Sequence, residues 1–237
     1  MNIYPIASGS QGNAILLSHN GYNLLLDAGI NIMRLRKALI NLNIRLTKLD
    51  GVLVSHSHGD HCKTVKELCQ FGIDCYMSND TAQALNIDHH RIKIIDPQIR
   101  FTISNWVIYT FHLIHDIENF GFLIAIDDKC IFYAVDTAYI PIKLPAPNRL
   151  THILIECNYD LNTLRENVNN GKINESAKYR IMKNHMNLET AKKFFKANDL
   201  SQIEEIWLLH MSKNNIDANY AKEEIQKLTG KIVKLKN

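Results

Sequence analysis

One stretch decides how this chain folds and what chemistry it carries: Gly51-Val52-Leu53-Val54-Ser55-His56-Ser57-His58-Gly59-Asp60-His61. Its first four residues predict a buried β-strand, and the polar residues leave the carboxyl end of that strand, where open α/β sheets tend to place ligands. In extended backbone, His56 and His58 point the same way and can converge on one metal ion, while Asp60 and His61 turn toward a neighbouring position. The alternative is a polar loop whose histidines only cap and hydrogen-bond.

Three further polar residues, His115, Asp136 and His210, each stand at or just after the end of an apolar run. Side chains at strand ends can point into a common cleft, and a carboxylate such as that of Asp136 can bridge two cations. Imidazole and carboxylate ligands without thiolate suit zinc, with manganese or iron as alternatives. Each residue alone also fits a structural role as a strand-end turn residue, so the metal-site prediction depends on their occurring together.

The composition limits the class of protein. The 237 residues are 46% hydrophobic and 22% charged with a net charge of +3, which predicts one globular domain over 1–237 and excludes wholesale disorder. No apolar run approaches the roughly 20 residues that a membrane span needs, and the N-terminus lacks a signal-peptide pattern, so we expect a cytoplasmic protein. Five cysteines without a Cys-x-x-Cys pair argue against a disulfide framework.

Short β-branched runs alternate with helical patterns throughout the chain, which predicts two sheets sandwiched by helices. The segment 159–186 is the least apolar and is interpreted as an insertion or lid. The predicted strands are Ala14–Leu17, Tyr22–Leu26, Val52–Ser55, Asp74–Met77, Ile92–Ile95, Trp106–His112, Gly121–Ile126, Cys130–Val135, His152–Ile155 and Glu205–Leu209. The predicted helices are Asn31–Leu42, a helix capped by Asn187 and Ala218–Leu228.

The pattern His-x-His-x-Asp-His at 56–61, followed in order by His115, Asp136 and His210, resembles the metallo-β-lactamase superfamily. Further motifs resemble its YycJ/WalJ-like branch, whose characterised members act as nucleases. These motifs are Ala7-Ser8-Gly9-Ser10-Gln11-Gly12-Asn13, Leu25-Leu26-Asp27-Ala28-Gly29, Val135-Asp136-Thr137, Glu156-Cys157-Asn158-Tyr159-Asp160 and Leu209-His210-Met211-Ser212-Lys213-Asn214-Asn215.

The resemblance implies an αββα four-layer sandwich of the metallo-β-lactamase type that holds two divalent metal ions, Zn²⁺ first and Mn²⁺ as the alternative. It implies one metal on His56, His58 and His115. It implies a second metal on Asp60, His61 and His210, with Asp136 shared between the two. A homodimer follows only from the same resemblance.

Two metals of this kind can supply a hydroxide that attacks phosphorus in line, and Asp60 could orient this nucleophile as well as bind metal. The resemblance places a histidine at position 185, which makes His185 the candidate general acid for the leaving alkoxide. A structural role ahead of the following helix is the alternative for His185. Asp27 is expected to support a ligand imidazole or a tight turn rather than to act on substrate.

The predicted substrate is a phosphodiester, and the candidate substrate contacts are Asn158, Tyr159, Arg165, Tyr179 and Arg180. The two tyrosines could stack on a base, and the arginines could hold phosphate oxygens. The low net charge and the absence of a Lys/Arg-dense helix do not indicate an extended nucleic-acid track.

We therefore expect a small cyclic nucleotide as substrate, as for related phage-encoded enzymes that degrade such signals in defence evasion. A DNA or RNA exonuclease of the YycJ/WalJ type is the alternative. A thioester hydrolase is a second alternative, and a non-catalytic scaffold is a third.

Overall fold

The structure, a computed structural model, describes residues 1–144 and 149–236. The described chain falls into two units. Unit 1 comprises Met1–Phe111 and Ile124–Ile126, and unit 2 comprises His112–Leu123 and the residues from Asp127 onward.

Unit 1 is built on a six-stranded mixed sheet. Its strands are β1 (Asn2–Ala7), β2 (Ala14–His19), β3 (Tyr22–Leu26), β4 (Gly51–Leu53), β5 (Cys75–Met77) and β6 (Ile92–Ile94). They lie side by side in the order β1 to β6. The pairs β1–β2 and β2–β3 are antiparallel, and the pairs from β3 to β6 are parallel. An antiparallel hairpin follows, formed by β7 (Arg100–Ile103) and β8 (Trp106–His112).

The helices of unit 1 are α1 (Ile32–Asn41), α2 (Gly59–Cys62), α3 (Val65–Gln70) and α4 (Asn79–Leu85). The Asn31 side chain caps α1 by accepting from the backbone N–H of Met33. Leu35 and Leu39, one turn apart, share a buried core with strand residues such as Val52. β4 is thus part of this core, and the loop at residues 55–61 leaves its carboxyl end.

Unit 2 is built on parallel strands. Its strands are β9 (Phe120–Ile126, whose last three residues belong to unit 1), β10 (Lys129–Ala134), β11 (His152–Glu156), β12 (Glu205–Leu209) and β13 (Ile232–Leu235). They are ordered β13-β12-β11-β10-β9, and β10 to β13 run parallel. Every residue of β11 is buried. Parallel neighbours end at the same edge of the sheet, so the residues that follow β10, β11 and β12 are brought together there.

The helices of unit 2 are α5 (Leu161–Asn169), α6 (Glu175–Asn184), α7 (Leu188–Ala197) and α8 (Ala218–Thr229). Asn187 caps α7, since its Oδ1 accepts from the N–H of Thr190 at 2.8 Å, which confirms the predicted cap. Phe194 of α7 stacks on Phe132 of β10, with ring centroids 5.5 Å apart. None of the helices in the described ranges combines the length and the apolar character that a bilayer crossing requires.

Every predicted strand and helix is found, with ends shifted by at most two residues. Strands β1, β7 and β13 and helices α2 to α6 were not predicted. The segment interpreted as a lid contains α5 and α6, and α5 is anchored in unit 2. Leu164 is buried, and the side-chain amide of Asn167 donates to the carbonyl of Asn214 at 2.8 Å. That 159–186 contacts substrate stays a prediction.

Candidate metal centre

The loop after β4 gathers imidazoles at one point of unit 1. His56 Nε2 lies 3.2 Å from His58 Nδ1, and the rings of His56 and His61 are 4.1 Å apart between centroids. The Ser55 hydroxyl lies 2.9 Å from Nδ1 of His56 and 3.2 Å from Nδ1 of His61. Asp60 follows within the single turn of α2. The loop is thus a compact cluster of three imidazoles and one carboxylate.

Asp27, directly after β3, contacts this loop through both of its carboxylate oxygens. Its Oδ1 accepts from the N–H of Ser55 at 2.8 Å, and its Oδ2 lies 2.8 Å from His61 Nδ1. A carboxylate can only accept, so His61 carries its proton on Nδ1, and its Nε2 lone pair faces Asn13 Nδ2 at 2.8 Å. Asp27 adopts a left-handed backbone with φ of 59°, which costs about 1–2 kcal/mol for a residue other than glycine. That Asp27 supports a metal-binding imidazole stays a prediction.

Two more segments of unit 1 clamp the turn of α2. Backbone N–H groups of Asn13 and Ala28 donate to the carbonyls of Asp60 and His61, both at 2.7 Å. A Cβ atom on Gly29 would lie 1.6 Å from the Asp60 carbonyl oxygen, so only glycine allows this close approach. The position of the loop therefore depends on residues that are distant in sequence.

Unit 2 places acidic and imidazole groups at the edge where its parallel strands end. Asp136 follows β10, Glu156 ends β11 and His210 follows β12. His210 Nδ1 lies 3.0 Å from Asp136 Oδ1 and 3.1 Å from Glu156 Oε1, and all three side chains are buried. Asp136 and His210 are left-handed, with φ of 51° and 47°. Strained backbone of this kind is concentrated at functional sites.

Glu156 is the functional candidate that sequence reasoning missed. Its side chain is inaccessible to solvent, and Oε2 accepts from the N–H groups of Thr137 and Met186 at 3.0 and 3.1 Å. Burial would raise the pKa of this carboxyl, but the imidazoles of His185 and His210 hold the pKa below its ordinary value. The available signal was a glutamate at the end of an otherwise apolar strand, where a charge is costly unless it is paired.

His185 follows α6 and sits against this group. Its Nδ1 lies 2.7 Å from Glu156 Oε1, and its ring stacks on His210 with centroids 5.4 Å apart. Burial lowers the pKa of His185, but the carboxylates of Glu156 and Asp136 outweigh burial and raise that pKa above its ordinary value. The side chain is 22% exposed, so His185 is the accessible member of the group.

His115, the remaining predicted ligand, is held by unit 2. Its Nδ1 lies 3.2 Å from the carbonyl oxygen of Asn184. His115 Nε2 lies 3.1 Å from Asp116 Oδ1, so both ring nitrogens face oxygen atoms that can only accept. In His61, His115 and His210 alike, the ring is oriented with its Nδ1 against an oxygen acceptor. It is the orientation that metal-binding histidines adopt.

The donor sets fit divalent metals. In unit 2, ligand atoms of Asp136, Glu156, His185 and His210 all lie within 4.8 Å of one another. In unit 1, ligand atoms of His56 and His58 lie within 4.8 Å of each other, and so do ligand atoms of Asp60 and His61. Nitrogen and carboxylate donors without thiolate suit Zn²⁺ or Mn²⁺. Each unit therefore carries a His/Asp cluster able to bind metal.

Cys62, next to the loop, does not extend the donor set. Its Sγ donates to the carbonyls of Ser57 and His58, both at 3.1 Å. Burial, followed by the nearby charges of Asp27 and Asp60, raises the pKa of this thiol to about 12. The residue is thus a neutral thiol directed at backbone.

The predicted substrate contacts lie in different surroundings. Asn158 is buried, and its amide donates to the His210 carbonyl at 2.7 Å. Tyr159 is only 2% exposed, so its burial argues against stacking on a base. Tyr179 is 70% exposed, and Arg165 and Arg180 are also exposed. Asn158 and Tyr159 are thus buried, while the other three side chains are accessible to a substrate.

A family model described as the beta-lactamase superfamily domain matches residues 22–211. The chain belongs to the metallo-β-lactamase superfamily. Within it, the chain is 29% identical to exodeoxyribonuclease WalJ of Streptococcus pneumoniae in an alignment over 224 residues that covers 89% of this chain and 81% of WalJ. This similarity confirms the branch that the motifs indicated.

The fold of this superfamily member is also seen in solved structures. The crystal structure of the metallo-beta-lactamase fold protein YhfI from Bacillus subtilis aligns with a TM-score of 0.75 at 18% identity, covering 98% of this chain and 95% of YhfI. The predicted fold, two mixed sheets with flanking helices, is confirmed. The Anti-Pycsar protein Apyc1 of Bacillus phage vB_BsuM-Goe3 is 37% identical, but over only 59 residues, 25% of this chain and 22% of Apyc1.

Proposed function

We propose that this chain is a metal-dependent phosphodiesterase that removes nucleotides from the ends of DNA. The observation that carries the proposal is the set of buried strand-end donors, Asp136, Glu156 and His210, with the accessible His185 against them. Similarity to an exodeoxyribonuclease along 89% of the chain supports DNA as the substrate.

The proposed metal sites are those that the family pattern implies, and the donor chemistry of both units fits them. His56, His58 and His115 would hold one ion, Asp60, His61 and His210 would hold the other, and Asp136 would serve both. Bound Zn²⁺ or Mn²⁺ would lower the pKa of water to supply the nucleophile and would offset charge on the phosphoryl oxygens. Asp60 would also orient the nucleophile.

His185 is the proposed general acid. Because the Glu156 carboxylate at 2.7 Å can only accept, Nδ1 of His185 carries a proton and Nε2 is the atom that exchanges a proton with the leaving oxygen. Glu156 keeps the imidazole oriented and favours its protonated form. The 22% exposure of His185 leaves a path from this ring to a bound substrate.

DNA replaces the small cyclic nucleotide as the favoured substrate. The expectation of a cyclic nucleotide is supported only by similarity over a quarter of the chain, whereas the exodeoxyribonuclease similarity runs along most of it. The exposed Arg165, Tyr179 and Arg180 on α5 and α6 offer cationic and aromatic contacts that a DNA strand can use.

The test is a substrate panel for the protein loaded with Zn²⁺ or Mn²⁺. It contains end-labelled single- and double-stranded DNA, covalently closed circular DNA, 3′,5′-cyclic nucleotides and a glutathione thioester. We expect nucleotides to be released from linear DNA while closed circles stay intact. Hydrolysis of cyclic nucleotides or of the thioester with linear DNA left whole would contradict the proposal.

Replacement of His185 tests its assigned role. His185→Ala should lower the rate of DNA cleavage by about 10²–10⁴-fold, the usual contribution of a general acid, without loss of bound metal. His90→Ala, which removes an exposed imidazole outside both clusters, is the matched control. Full turnover of the His185→Ala protein with its metals bound would remove this residue from the reaction.

A further inference from the structure

Unit 2 contains a cavity that the proposed chemistry does not use. It lies between residues 139–143 and α7 and has a volume of about 360 Å³, within the range of small-ligand sites. Its walls are formed by Tyr139, Ile140, Pro141, Ile142, Lys143, Thr190, Lys193, Phe194, Ala197 and Asn198.

The lining combines an aromatic ring, apolar walls and positive charge. Tyr139 is among the residues that line the cavity, and it is 50% exposed. Lys143 and Lys193 are exposed, and none of the described lining residues is acidic. A ligand that complements this lining has a flat apolar part and a negative charge, which are the properties of a nucleotide.

The two lysines are available for such a ligand. Among the described residues, neither Lys143 nor Lys193 has an acidic partner. Lys192, the neighbour of Lys193 on α7, is different because it pairs with Glu189 at 2.9 Å and with Glu224 at 3.0 Å. One lysine of α7 is thus neutralised within the protein, and the next one faces the cavity with its charge uncompensated.

The cavity lies close to Asp136 along the chain, and hydrogen bonds at both ends fix the segment 139–143 that lines it. Tyr139 follows Asp136 by three residues, so their Cα atoms are within about 11 Å. Thr137 ties this segment to the donor group, since its N–H donates to Glu156 Oε2 at 3.0 Å and its hydroxyl donates to the Tyr139 carbonyl at 2.7 Å. At the other end, the N–H of Leu144 donates to Asn198 Oδ1 at 2.8 Å.

We propose that this cavity holds one nucleotide of the DNA strand, next to the phosphodiester that is cut. The ring of Tyr139 stacks on the base, and Lys143 and Lys193 pair with the phosphates that flank it. Stacking of this kind does not depend on base identity, as an enzyme that degrades any sequence requires. This assignment rests on the proposed function, because its occupant is the DNA substrate.

The first measurement is binding of a fluorescent single-stranded oligonucleotide to the metal-free protein, followed by anisotropy. Tyr139→Ala should raise Kd about tenfold by removing one stacked base, and Tyr139→Phe should bind like the wild type. The double variant Lys143→Gln/Lys193→Gln should reduce the slope of log K against log salt by about 1.4. Lys196→Gln, an exposed lysine of α7 outside the cavity, should leave both values unchanged.

The second measurement separates this proposal from the proposed function. Hydrolysis of bis-p-nitrophenyl phosphate needs the metal centre but no neighbouring nucleotide, so the cavity variants should keep the wild-type rate while they lose DNA cleavage. Cavity variants that bind and cut DNA like the wild type would overturn the nucleotide site alone. A wild-type protein that cuts neither DNA nor the small diester would overturn the proposed function.

Discussion

The two donor clusters are built in opposite ways. In unit 1, three histidines and an aspartate occur within the six residues 56–61, so one loop carries them all. In unit 2, Asp136, Glu156 and His210 meet because parallel strands end at a common edge, and His185 joins them from the end of α6. A local cluster is visible as a motif, whereas a cluster of strand ends depends on sheet topology.

The two clusters also depend on different kinds of support. The loop is clamped by Asn13, Asp27 and Gly29, which lie outside it in sequence. The strand-end cluster depends on register, with Ala134 beside Ile155 and Glu156 beside Leu209. A slip of one residue in either pairing would turn a donor to the opposite face of the sheet.

The largest expected effect is on the rate of DNA cleavage. It comes from substitutions in each of the two clusters, which together test whether both clusters serve one reaction. His58→Ala in the loop and Asp136→Asn at the strand ends should each lower DNA cleavage by about a thousandfold, because each removes a group proposed to hold metal at the reacting phosphate. Cleavage rates and the metal content of the purified protein would be compared with those of His90→Ala. Activity that survives in only one of the two variants would show that its cluster is not part of the reaction.

A smaller effect is expected for Glu156→Gln, which tests the strand-end cluster from within. The Gln amide has the shape of the Glu carboxylate. Its N–H groups, however, cannot accept the protons that Nδ1 of His185 and of His210 direct at the carboxylate in the wild-type protein. The two imidazoles therefore lose the acceptor that orients them. Turnover should fall by about 100-fold, the upper range for residues that orient metal ligands. Glu166→Gln, an exposed change on α5, is the matched control. Unchanged turnover of Glu156→Gln would refute the positioning role.

The smallest effect concerns the clamp on the loop. Gly29→Ala places a Cβ atom against the Asp60 carbonyl and should lower the free energy of unfolding by about 2 kcal/mol through overpacking. Urea unfolding measures the loss. Gly59→Ala is the natural control, because a Cβ atom there would meet nothing within 4 Å. Equal stability of the two variants would show that the loop relaxes without cost.

The elements that the sequence pattern does not predict have identifiable physical features. Strand β1 was missed because Pro5 interrupts its apolar run, yet β1 lies at the edge of its sheet, where proline is tolerated. Helices α5 and α6 were missed because few of their residues are apolar, and both begin at capping side chains, Asp160 and Asn174. Tyr159 was interpreted as a base-stacking residue, but the bridge it forms with Asn187 draws it inward.

The amino-acid sequence alone was sufficient for the superfamily, most of the strands and the histidine loop, because these depend on residues that are close together in the chain. The tertiary structure alone revealed that Glu156 joins His185 and His210, and that residues 139–143 form a cavity with α7. These arrangements join residues that are tens of positions apart. They depend on strand order and register, which no local pattern of side chains encodes.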